Sequence, residues 1–465
     1  MKKITTIVAA LLLLTSCNKF LDTELKSDFS PETFFSSAEN AELAVNGIYN
    51  SLYGTKYWIY GDVASDDAVK GGNEGDQVDI SAIDGFTAAS DNGHILQIWQ
   101  KMYETVSQCN NVIFYVGQMD IANKDRYISE AKFVRAYTYF YLVNIFGSVP
   151  YKDKPQETAE AIYVGLSTPS QIYTHIEQDL NDAIATLPPT YQAKDQGRAT
   201  RGAALAMLAK VQLFQNKNNE CISSISMLEN LGQYNLINDY ANLFKSGAED
   251  CSEAIFALRF INTTEAYLGN EYVVYMAPFV QGGYYFNAPT QSYVDCFTEQ
   301  TDSGAFDPRL DASIGRGGQP WFNGLTFDAS WSSTGYLVKK YNEENPTGLP
   351  IARMTVPVHL LRYADVLLMK AEALDAVGQT DSALSTLNKV RARAHLLPAN
   401  KTELREKIRL ERRRELGFES HRFFDIMRYG RAYAESALQG TGFIWTEPRF
   451  YYPIPQLEID ANSAI

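Results

Sequence analysis
Apolar residues recur at intervals of three and four along much of the chain, the spacing that lines side chains up on one face of an α-helix. Ala41, Ala44, Val45, Ile48 and Leu52 predict a first helix, and Trp99, Met102, Tyr103, Val106 and Ile113 a second that ends near Gly117. Residues 127–146 are apolar on most sides, with Phe133, Val134, Tyr137, Phe140 and Tyr141, which predicts a helix enclosed by its neighbours. Gly147 and Pro150 stop it. Thr168 is placed to cap the next helix with Pro169 in its first turn, and the stripe Ile172, Ile176, Leu180 and Ile184 carries that helix to Pro188-Pro189. Two more helices follow at 203–214 and 220–231, and a further pair at 362–377 and 381–394 brackets the turn Gly378-Gln379-Thr380.

That last pair has the helix, glycine turn, helix layout and the small Ala383 of a degenerate tetratricopeptide unit. The pairs at 99–146 and 203–231 have the same size. Several such units predict a mainly α fold, a tetratricopeptide-like helix-pair scaffold stacked into a curve. From about residue 232 to about 355 the helical period fades while Gly, Pro and aromatic residues concentrate. This stretch predicts a long irregular insertion of loops and short strands, the kind of segment that carries a binding face on a rigid frame. The expected organisation is one domain over 17–465, with helical repeats at about 37–231 and 356–430 and the ligand-face insertion at about 232–355.

The first 16 residues differ from the rest. Lys2 and Lys3 precede an apolar run at 7–14, too short to span a bilayer, and Leu14-Thr15-Ser16 leads into Cys17. This is the layout of a lipoprotein signal peptide over 1–16, cleaved before Cys17 so that its thiol carries lipid; an ordinary secretory leader is the alternative. Each buried acyl methylene would contribute about 0.8 kcal/mol to membrane anchoring. Removing 1–16 deletes two lysines and no acid, so the formal charge moves from −14 to −16. Such a surface argues against nucleic acid and favours an uncharged or weakly charged ligand. Hydrophobic residues form 45% of the 465, enough for a large core, and no later segment reaches the apolar length of a membrane helix. Cys109, Cys221, Cys251 and Cys296 include no paired C-x-x-C, which disfavours structural zinc; disulfides and buried free thiols both remain open.

Signatures of enzyme chemistry are missing: there is no G-x-S-x-G, P-loop or H-E-x-x-H, and the five histidines lie far apart. No cofactor is expected. Asp66-Asp67, with Glu74, Asp76 and Asp79 nearby, reads as a solvated acidic loop, as acceptors for sugar hydroxyls, or as ligands for a structural calcium, without the spacing of an EF-hand. Arg409, Arg412, Arg413 and Arg414 alternate with Glu406, Glu411 and Glu415 and read as a salt-bridged helix face. Trp99 and the tyrosines of 137–141 have helical spacing and belong to the core. By contrast Trp321, Trp331, Tyr284 and Tyr285 lie in glycine-rich, non-periodic segments with no helix face to bury against. Each is open to three roles: a flat platform on which the C–H face of a pyranose stacks, loop packing, or contact with a partner protein. Trp58 and Tyr60, just after the first helix, are further candidates.

The opening Phe20-Leu21-Asp22 with Asn46-Gly47-Ile48-Tyr49 resembles that of the SusD/RagB family of outer-membrane nutrient-binding lipoproteins. The resemblance continues in Glu130-Ala131-Lys132-Phe133-Val134-Arg135-Ala136-Tyr137, Phe146-Gly147-Ser148-Val149-Pro150 and Gly197-Arg198-Ala199-Thr200-Arg201-Gly202-Ala203. It returns in Leu361-Arg362-Tyr363-Ala364-Asp365, Arg412-Arg413-Arg414-Glu415-Leu416, His421-Arg422-Phe423-Phe424-Asp425 and Tyr452-Pro453-Ile454-Pro455. It implies a SusD-like, tetratricopeptide-like protein, lipid-anchored at the outer membrane and facing the cell exterior, that binds oligosaccharides without catalysis. It also implies a partner, a SusC-like TonB-dependent transporter to which the glycan passes. Asn92 falls where the family places polar sugar contacts. Two other classes stay open: an outer-membrane glycosidase using the Asp66/Asp67 loop, and a helical-repeat scaffold for peptide or protein.

Overall fold
The computed structural model describes residues 31–155, 162–264, 266–345 and 348–465. Cys17 and the leader lie outside them. The first long helix, α1 (Ala38–Ser51), starts where Ser37 accepts from the Asn40 N–H and buries Ala41, Val45 and Ile48. Asn92 caps α2 (Gly93–Asn111), and α3 (Lys124–Phe146) is buried on nearly every face from Phe133 onward. Gly147, at φ +75°, ends α3 in a conformation only glycine adopts without strain. α4 (Pro169–Thr186) opens with a full capping box between Thr168 and Gln171 and with Pro169 at its first position. α5 (Arg201–Phe214), α6 (Asn218–Glu229), α7 (Tyr363–Ala376), α8 (Thr380–Arg393), α9 (Leu404–Leu416) and α10 (Arg422–Arg428) complete the longer helices.

These helices stack in order: α2 on α3, α3 on α4, α4 on α5, α5 on α6, then α6 on α7 and α7 on α8. The chain leaves the stack after α6 and comes back through a strand into α7, so two helix pairs far apart in sequence continue one scaffold. The fold is mainly α and tetratricopeptide-like. Trp99 meets Phe146 edge to face at 5.0 Å in the core between α2 and α3. The intervening residues hold short helical turns and two-stranded antiparallel ladders. β2 (Ala254–Leu258) pairs with the returning β6 (Val358–Arg362), and β4 (Ile314–Arg316) with β5 (Tyr336–Val338). β1 (Ala68–Gly71) reaches across from the N-terminal half to pair with β3 (Phe286–Pro289).

Buried charge joins these loops to the scaffold. Arg309 pairs with Glu411 at 2.7 Å and Glu415 at 2.9 Å, all three fully buried. Arg362 reaches Glu253 at 2.9 Å, Glu415 at 2.6 Å and Glu419 at 2.7 Å, Lys340 meets Glu419 at 2.7 Å, and Arg393 also contacts Glu415. Burial alone would raise the Glu415 pKa, but Arg393, Arg362 and Arg309 hold it well below the usual carboxylate range. The arginine run of α9 is salt-bridged, as its alternation with Glu suggests, but mostly inside the fold and to partners on other segments. Arg412 pairs with Asp365 and Asp425 inside the core, Arg414 with Glu299, and Arg413 with Asp67. The four cysteines 109, 221, 251 and 296 are free thiols.

Candidate functional site
The β1–β3 ladder brings two distant segments together because glycine removes the side chains that would block it. A Cβ on Gly71 would lie 2.4 Å from the Tyr285 carbonyl oxygen, and one on Gly72 2.2 Å from the Phe286 ring. Above the ladder, the short helix Glu271–Met276 ends in a turn from Pro278 to Gly283, and the N–H groups of Tyr284 and Tyr285 donate back to the Val274 and Ala277 carbonyls. This fold-back leaves Phe279 78% and Tyr284 53% exposed.

Beneath Tyr284 is an aromatic stack. Trp58, fully buried, lies parallel to Phe286 at 6.5 Å and tilted against Tyr275 at 5.6 Å; Tyr284 lies 6.1 Å from both Tyr275 and Phe286. The Lys56 ammonium sits 5.1 Å above the Tyr275 ring, and Lys70 5.7 Å above Phe286. Tyr285 donates to the Asn73 amide oxygen at 2.7 Å. The arrangement presents flat apolar faces at solvent with amide and ammonium groups at their edge, the chemistry that recognises a pyranose.

Five of the residues singled out in the sequence meet here, in different roles. Tyr284 is on the surface, Tyr285 and Trp331 are half-buried, and Trp58 lies underneath. Trp321 is only 4% exposed. It packs against Phe322, Phe327 and Trp331 with ring centroids 5.2, 5.3 and 6.4 Å away, and its indole N–H donates to Gln281 Oε1 at 2.8 Å. A loop aromatic with no helix face has buried itself against other loop aromatics, which periodicity cannot foresee.

Asp66, Asp67 and Asn92 are elsewhere and already bonded. Arg422 holds Asp66 at 2.7 Å and Arg413 holds Asp67 at 2.5 Å, so this pair is a buried ionic knot and not a solvated acidic loop. Asn92 accepts from the His94 and Ile95 N–H groups at 3.0 and 3.1 Å and donates to the Asp79 carbonyl at 2.9 Å; it is a helix cap. Among the described residues no group of three or more His, Cys, Asp or Glu side chains could hold a metal ion, and no helix is long and apolar enough to cross a membrane. Tyr275, Phe279 and Lys56 were not foreseen. The available signal was Phe279-Val280, an apolar pair between Pro278 and Gly282-Gly283 with no periodic partner.

Comparison with known proteins gives this surface its context. Residues 252–465 match the family model described as SusD family, and 19–213 the model described as starch-binding associating with outer membrane. SusD-like protein P2 of Formosa agariphila is 26% identical, over 98% of this chain and 97% of its own. A SusD-like carbohydrate binding protein of Bacteroides fragilis superposes with a TM-score of 0.81 at 26% identity, covering 93% of this chain and 99% of its own. A laminarin binding SusD-like protein gives 0.77 at 27% identity, covering 91% and 97%. With matched segments that run through both the helical scaffold and the loops it carries, the chain belongs to the SusD family.

Proposed function
We propose that this protein is a cell-surface glycan-binding lipoprotein that captures oligosaccharides on the Tyr284 surface and passes them to a SusC-like TonB-dependent transporter. The lipid on Cys17 holds it to the outer membrane, facing outward. The helical repeats are the frame, and the insertion with the loops around Trp58 is the ligand face. The observation that carries this reading is the exposed Tyr284 ring held against the aromatic stack of Tyr275, Phe286 and the buried Trp58. Stacking on a preformed platform costs little conformational entropy and needs no cofactor. The laminarin binding and carbohydrate binding descriptions of the two solved relatives support a glycan as cargo. Binding without catalysis is favoured because a glycosidase needs two carboxylates about 5–10 Å apart across an open cleft, and Asp66 and Asp67 are committed to arginines.

The test is a polysaccharide panel read by calorimetry with wild type and Tyr284→Ala. At least one glycan binds wild type. Tyr284→Ala loses about 2 kcal/mol, roughly 30-fold in affinity, with its thermal midpoint unchanged. Binding to none, or equal binding by both proteins, refutes the reading; release of reducing sugar would make the protein a glycosidase.

A further inference from the structure
Beside the platform, the loop after α1 and the first turns of α2 enclose a pocket of about 80 Å³, lined in part by Thr55, Lys56, Tyr60, His94, Gln97 and Lys101. No carboxylate lines it, in a chain whose net charge is −14. Among the described residues Lys56 makes no ion pair, and its ammonium stands 5.1 Å from the Tyr275 ring, which in turn lies 6.1 Å from Tyr284. Tyr60, buried and packed edge to face on Tyr452, forms part of the wall. Three acids stand near it: Glu104 meets Lys101 at 3.4 Å from an exposed position, Asp79 lies against Gly93 at the start of α2, and Glu271 lies against Gly54, none of the three in the lining. The volume suits one carboxylate or sulfate group and a water or two, at about 30 Å³ per water.

We propose that the Lys56, His94 and Lys101 pocket is an anion subsite at the end of the aromatic platform, so that the captured glycan is an acidic saccharide carrying a carboxylate or sulfate. This rests on the glycan-binding reading. A sugar stacked on Tyr284 directs its acidic group across to the Lys56 ammonium above the neighbouring Tyr275 ring. Burial, and after it the Lys56 charge, lowers the His94 pKa, so a bound anion that offsets the Lys56 charge raises it.

The experiment titrates protein labelled at its histidine ring carbons with sodium D-glucuronate, sodium sulfate or D-glucose at constant ionic strength, followed by nuclear magnetic resonance. The His94 signal is assigned from His94→Gln. Glucuronate, sulfate or both shift that signal saturably with a Kd of a few millimolar, on the order of the weakest specific affinities, and raise the His94 pKa; glucose does neither. A response to one anion alone identifies which acidic group the pocket takes. Lys56→Gln weakens the response at least tenfold, and Lys101→Gln does so as well, each with an unchanged circular dichroism spectrum. Tyr284→Ala leaves this response intact while weakening polysaccharide binding, so failure of the platform and failure of the pocket are separable. No shift up to about 50 mM of either anion, or a shift undiminished in both lysine variants, overturns the proposal.

Discussion
Trp321→Ala is the substitution that most directly tests whether the loop aromatics form a packed core. A buried indole removes about 150–250 Å² from water, which at about 25 cal/mol/Å² is roughly 5 kcal/mol of transfer free energy. Part of that is recovered as Phe322, Phe327 and Trp331 relax into the space, which brings the expected loss to about 4 kcal/mol, within the range of Trp→Ala changes in cores. The lost hydrogen bond adds little, because Gln281 Oε1 still accepts from Asn342 Nδ2 at 3.0 Å. With an unfolding entropy of about 2.1 cal/mol/K per residue, a chain this long that unfolds as a unit loses about 4 °C of thermal midpoint. Trp321→Phe keeps most of the packing and loses about half as much. Differential scanning calorimetry reads both. Glycan affinity falls with Trp321→Ala, since Gln281 belongs to the turn that displays Phe279. A midpoint within 1 °C of wild type would refute the argument and make Trp321 a free surface ring.

Glu415→Gln takes away the carboxylate shared by Arg309, Arg362 and Arg393 and leaves like charges buried together; urea unfolding should show a loss of about 3–5 kcal/mol, and a loss below about 1 would mean that the cluster is hydrated. Asp62 is buried with no cation in contact, and burial raises its pKa from 3.8 to about 8 against the pull of its bonds from the Ser420 N–H and Asn287. Between those two values the folded chain keeps a proton that the unfolded chain has released, so this group lowers stability progressively as pH rises. Asp62→Asn should therefore gain thermal midpoint relative to wild type from pH about 5 to about 9; a constant difference across that range refutes the assignment. Cys17→Ala should leave the membrane fraction in cells lacking the transporter, and retention after a salt wash would show a second anchor.

What the sequence made legible, and what it hid, follows from the range of the forces involved. Helix α4 was readable because Thr168, Pro169 and the stripe from Ile172 to Ile184 are local signals, and the enclosed α3 because its apolar residues cover every face. The ionic core was not, because Arg362, Glu253 and Glu415 come from three distant segments, and a charged residue viewed alone is properly assigned to solvent. The same blindness split the site. Composition marked Tyr284 and Tyr285 as unusual, but the fate of Trp321 depended on Phe327 and Gln281 closing over it, and Asn92 looked like a free amide until the α2 N–H groups took it as a cap. Net charge is limited in a related way. It averages the whole surface, whereas a ligand samples a few ångströms, and the 80 Å³ pocket of an acidic protein is lined by Lys56, His94 and Lys101 with no carboxylate among the lining residues. Charge read along a sequence thus predicts what the surface as a whole repels at a distance, and only the fold determines which charge a bound group meets on contact.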